Sequence, residues 1–107
     1  MTEHRGPILH LESLTAILKE LAPQGIELYE LRYYPQAFGN LELVLGTGHE
    51  RVKFTWDGRE SILSVSLAKA GNKNANVAWT HDADISLPKG EGLLEEIASN
   101  AQQMLAT

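Results

Sequence analysis

The 107-residue chain has no cysteine. That excludes a disulfide framework, a thiolate metal site, an iron–sulfur cluster and a cysteine nucleophile. Basic residues are scarce as well: nine Lys and Arg stand against fourteen Asp and Glu, for a net charge of −5. Contacts to nucleic-acid phosphates need Lys and Arg, so no nucleic-acid partner is expected. No apolar run approaches the length a membrane-spanning helix requires, so no membrane partner is expected either. The opening MTEHRGPILHLESL lacks the basic-then-apolar order of a secretory signal. With no such signal, the default expectation is a cytoplasmic protein, with which the absence of cysteine is compatible.

Apolar residues make up 43% and charged residues 21%, which is enough material for a packed core. A chain of this length buries roughly 60–70% of its unfolded surface and folds without a metal or a disulfide. Composition does not break and no repeat or linker interrupts the chain, so residues 1–107 read as one domain. The charge is uneven. Residues 82–107 hold five acids (Asp82, Asp84, Glu91, Glu95, Glu96) and one base (Lys89).

Spacing predicts a helix over residues 7–22, where Ile8, Leu11, Leu14, Leu18 and Leu21 make one apolar stripe and Pro23 and Gly25 end it. Residues 26–34 alternate and are rich in Tyr, which reads as a strand. Leu41, Leu43 and Leu45 alternate with Glu42 and Val44. Val52, Phe54 and Trp56 alternate with Arg51, Lys53 and Thr55, and Leu63, Val65 and Leu67 follow in the same way. Asp57-Gly58 predicts a two-residue type I′ hairpin, which would pair Trp56 with Arg59, Phe54 with Ser61 and Val52 with Leu63. Residues 70–75 read as a polar turn, Val77 and Trp79 as a further strand in phase with the core, and Ile85 and Leu87 as a short edge strand. Leu93, Ile97, Ala101 and Leu105 step by four in a C-terminal helix from about 91 to 105, with Glu91, Glu95 and Glu96 in its first turns.

The expected architecture is therefore α+β. An antiparallel meander of four to six strands carries an N-terminal and a C-terminal helix on one apolar face, in two layers. Its other face would carry Glu42, Val44, Arg51, Lys53, Thr55, Glu60, Ile62, Ser64, Ser66, Ala78 and Thr80, and would meet water or a partner.

No motif commits the chain to a reaction. Gly46-Thr47-Gly48 joins two strands and lacks the lysine and the following helix of a phosphate loop. A set of Ser61, His81 and Asp84 can be composed on paper, but no nucleophile elbow accompanies it. His81-Asp82-Ala83-Asp84 offers ligand types for a divalent cation without a closing set. The sequence favours a small acidic, non-catalytic binding protein acting on another protein, a basic one if the acidic C-terminal helix meets it. An inhibitor or toxin-neutralising, immunity-type role is one version. Candidate partner-binding residues are Tyr34 and Phe38, aromatics at a Pro/Gly-bounded loop, together with Glu91, Glu95 and Glu96. No catalytic residue, metal or cofactor is assigned. The alternative is a weak metal- or small-ligand-binding protein using the His81–Asp84 segment. An unprotected sheet edge would also permit a homodimer.

Overall fold

The structure, a computed structural model, describes residues 11–37, 39–69 and 78–105. Helix α1 spans Leu11–Leu21 and a short 3-10 turn, Ala22–Gln24, follows it. Gly25, at φ 80°, turns the chain into the sheet. Among the described residues, five strands follow in order: β1 Glu27–Tyr34, β2 Asn40–Gly46, β3 Glu50–Asp57, β4 Ile62–Lys69 and β5 Thr80–Ser86. Helix α2, Leu93–Leu105, closes the chain. Each strand pairs antiparallel with its sequence neighbour, giving the order β1-β2-β3-β4-β5. This is the expected α+β meander with a helix at each end.

The core forms as the alternation requires. Leu41, Leu43 and Leu45 of β2, Val52, Phe54 and Trp56 of β3, and Leu63 and Val65 of β4 are buried on one face. Leu14 and Leu21 of α1 and Leu93, Ile97, Ala101 and Leu105 of α2 join them in one cluster. The α2 stripe is the predicted one, but the helix starts two residues late. Gly90 and Gly92 hold φ of 72° and 74°, a left-handed backbone that helical geometry cannot continue through. Glu91 therefore lies before the helix rather than in it. Residues 7–10, the 70–75 turn and Val77 lie outside the described residues.

The hairpin between β3 and β4 differs from the expected one. Trp56 pairs with Leu63, Phe54 with Val65 and Val52 with Leu67, around a four-residue loop, 58–61. The Asp57 carboxylate accepts the backbone N–H groups of Arg59 (3.0 Å) and Glu60 (3.1 Å), and Asn40 Oδ1 accepts that of Gly58 (2.8 Å). The left-handed residue is Ser61, at φ 58°, instead of the Asp57-Gly58 pair. Side-chain capture of the backbone thus outcompetes the tight turn. The register moves by four residues. Because four is even and strands alternate with period two, every side chain keeps its expected face.

Two bulges overturn the expected phase at the sheet's margins. One lies in β1 between Leu28 and Glu30, the other opposite Val65 and Ser66, where β5 carries Asp82 as an extra residue. Each extra residue flips the alternation beyond it. Thr80 therefore pairs with Leu67 on the core side, and His81 pairs with Ser66 on the other. Trp79 precedes β5 and is not a core residue. It is half-buried, with Lys53 Nζ 4.7 Å from its ring centroid. Residues 78 and 79 carry no strand, and the expected edge strand at Ile85 and Leu87 is instead the end of β5, which stops at Ser86.

Candidate functional site

Both helices pack on the face that holds the core, so among the described residues no helix covers the second face of the sheet. Its side chains come from alternate positions: Arg51, Lys53 and Thr55 from β3, Glu42 and Val44 from β2, Ser64 and Ser66 from β4. The bulges add Tyr29 and Trp79 from the margins.

Tyr29 and Trp79 each meet a cation of the central strand. The Arg51 guanidinium sits 3.7 Å from the Tyr29 ring centroid, and Lys53 lies over Trp79. Cations over aromatic faces are held by the ring quadrupole. Arg51 is further fixed by donating to the carbonyls of Thr47 and Glu50, and the Tyr29 hydroxyl donates to Thr47 O at 3.3 Å. The Thr47 turn is itself tied down, with Oγ1 accepting the N–H groups of His49 and Glu50, each at 3.2 Å. Gly46-Thr47-Gly48 is thus a hairpin loop, and its role is to hold Arg51 and Tyr29. Gly46 is needed there because a Cβ would come within 2.6 Å of Glu50 O and 3.0 Å of the Tyr29 ring. Tyr29, Arg51, Lys53 and Trp79 form an aromatic and cationic band across the open face. Arg51 and Lys53 lie on the face their alternation predicts, whereas Trp79, expected in the core, joins them there. The signal that could locate the inversion is His81-Asp82: two successive polar residues where strict alternation asks for an inward apolar one.

Beside the band, Ser64 Oγ donates to Asp84 Oδ1 at 2.7 Å, and His81 Nε2 lies 2.9 Å from the same oxygen. These bonds, the one from His81 first, hold the Asp84 carboxyl below the usual carboxylate range. The order is serine–carboxylate–imidazole. The carboxylate takes up both partners, so His81 does not stand between Ser64 and Asp84 as a base would. Ser61, the serine considered from sequence, sits in the β3–β4 loop, where its carbonyl accepts the Leu87 N–H. Among the described residues, no group of three or more His, Asp or Glu side chains converges as a cation site.

The predicted binding residues are scattered. Tyr34 ends β1 on the open face, 45% exposed. It borders a shallow cleft of about 220 Å³ shared with Asn40, Glu42, Thr55 and Trp56. That is smaller than the roughly 300 Å³ at which small-molecule sites begin. Phe38 lies outside the described residues. Glu95 is exposed in the first turn of α2, while Glu96 accepts a hydrogen bond from Asn100 Nδ2 at 2.7 Å. Glu91 precedes the helix. The acidic trio is therefore not one helical face. On β1, Arg32 Nε pairs with Glu30 Oε1 at 2.6 Å, and that carboxylate, followed by Tyr34, raises the Arg32 pKa.

No helix among the described residues is long and apolar enough to cross a membrane. Comparison with protein families, curated proteins and solved structures finds no match to this chain.

Proposed function

We propose that this is a non-catalytic binding module that engages another protein through the open face of its sheet. The observation that carries the reading is the band of Tyr29, Arg51, Lys53 and Trp79. Flat aromatic surface and fixed cations, on paired strands and not covered by either described helix, are the composition of interface anchors. The surface thus moves from the acidic helix to the sheet, and the favoured partner presents acidic rather than basic groups, to meet Arg51 and Lys53.

The experiment captures the partner with tagged protein from the native host and then measures its affinity in purified form. Lys53→Glu and Trp79→Ala are expected to weaken binding at least tenfold, as loss of interface anchors does. A Glu91/Glu95/Glu96→Lys variant is expected to bind as the parent does. The reverse pattern would move the surface back to α2. Turnover of a small molecule by the purified chain, with no partner captured, would overturn the reading.

A further inference from the structure

Among the described residues, the strand order leaves β1 and β5 as the two edges, neither paired on its outer side. They are not equivalent. Leu28, Tyr29 and Tyr34, the exposed large hydrophobic side chains among the described residues, are 40%, 46% and 45% exposed, and all three belong to β1. β5 instead exposes Thr80, His81, Asp82, Asp84 and Ser86. Charge along an edge is a common protection against pairing, and apolar side chains along one are an invitation to it.

The sequence of β1 also says what fits it. When two copies of a strand pair antiparallel about a two-fold axis normal to the sheet, each face continues into the same face of the partner. Residues directly opposite must then share a face. Past the bulge, Glu30, Arg32 and Tyr34 lie on the open face, while Leu31 and Tyr33 lie on the core side. Three central registers satisfy this. One sets Glu30 against Glu30 and another sets Arg32 against Arg32, and like charges directly opposite repel. The third sets Leu31 against Leu31 and places Glu30 opposite Arg32 twice. Within one copy these two already pair at 2.6 Å, so two copies assemble an alternating square of four charges. The same register brings Tyr33 and Tyr34 of each copy alongside the partner's Leu28 and Tyr29, covering the exposed apolar side chains.

We infer that β1 is a self-pairing edge, through which two copies of this chain join antiparallel in the Leu31-centred register to form one ten-stranded sheet. The pairing uses the strand edge and shares only Tyr29 with the band, leaving Arg51, Lys53 and Trp79 open. It stands or falls apart from the proposed hetero-partner.

Sedimentation equilibrium of the full chain, from micromolar to millimolar concentration, tests it. The parent protein is expected to form a reversible dimer. Glu30→Arg and Arg32→Glu are each expected to weaken dimerisation about tenfold or more, since each replaces two attractive cross-strand pairs with two repulsive ones. An equimolar mixture of the two variants is expected to form a heterodimer near the parent's affinity. One chain then carries two bases and the other two acids at these positions, and neither keeps the pair within its own strand. Recovery on mixing is therefore specific to contact between chains. Circular dichroism checks that both variants fold. A parent protein monomeric at millimolar concentration would overturn the inference. So would a dimer indifferent to both substitutions, or a mixture that fails to recover.

Discussion

On one face of the sheet, Leu43, Leu45, Val52, Phe54, Leu63 and Val65 are closed off from water completely. On the other, the same three strands present Glu42, Lys53, Thr55, Ser64 and Ser66, all half-buried and none under either described helix. The first face is ordered by packing, where apolar contact area decides the outcome. The second is ordered by a few directed contacts. Two rings meet two cations, two donors meet one carboxylate, and turn carbonyls hold a guanidinium. The two faces also differ in how they tolerate error in register. A shift by four leaves the packed face intact, whereas a single inserted residue at either edge decides which aromatic joins the open one.

The widest separation between the faces is expected from adjacent residues of β3. Phe54→Ala removes a fully buried ring and should cost roughly 3–5 kcal/mol. Thr55→Ala, one residue on and on the open face, should change stability by about 0.5 kcal/mol or less. Urea denaturation of the two variants checks this. Similar losses in both would mean that the faces are wrongly assigned. A smaller effect is expected at Gly46, where the open face is locally as tight as a core. A methyl group there would meet Glu50 O at 2.6 Å and Arg51 Cδ at 2.7 Å. The carbonyl is backbone and cannot yield as a side-chain end does, so Gly46→Ala should cost about 1–3 kcal/mol, in the range of overpacking. A loss below about 0.5 kcal/mol in the same assay would show that the Glu50 carbonyl does not crowd this residue as closely.

The packed face was legible in the sequence because hydrophobic alternation and the four-residue step of α2 are properties of the chain alone. Val52, Phe54, Leu63 and Val65 keep their expected face even though the hairpin that joins them does not have its expected length. The open face was less legible, because it depends on where alternation breaks. Nothing in the spacing of Tyr29, Leu31 and Tyr33 marks the bulge at Tyr29. Trp79, Ile85 and Leu87 look in phase until the strand is paired and Asp82 proves to be extra. Asp57-Gly58 misled for a related reason. The dipeptide's turn preference is real, but the Asp57 carboxylate had two backbone donors to capture, and Asn40 on a neighbouring strand supplied the acceptor for a third. The Ser64–Asp84–His81 contact depends on strand pairing and could not be found by proximity in sequence.

That contact gives the smallest effect and the finest test of the open face. Asp84 titrates below the usual carboxylate range in the folded protein and within it when unfolded. A carboxyl with a depressed folded pKa contributes stability above its unfolded pKa, and that contribution fades as pH falls through the folded value. The window here lies below about pH 4, where carboxylates ordinarily begin to protonate. The side chain is more than half exposed, so solvent screening keeps the contribution small. Its site-specific titration is the sharper readout. Carboxyl-carbon NMR should show the Asp84 midpoint rise on His81→Ala and rise less on Ser64→Ala, since the His81 bond contributes most to the depression. An Asp84 that titrates in the ordinary range in the unaltered protein would mean that the three side chains do not meet. The open face would then be ordered by its two cation–ring pairs and not by a hydrogen-bonded cluster beside them.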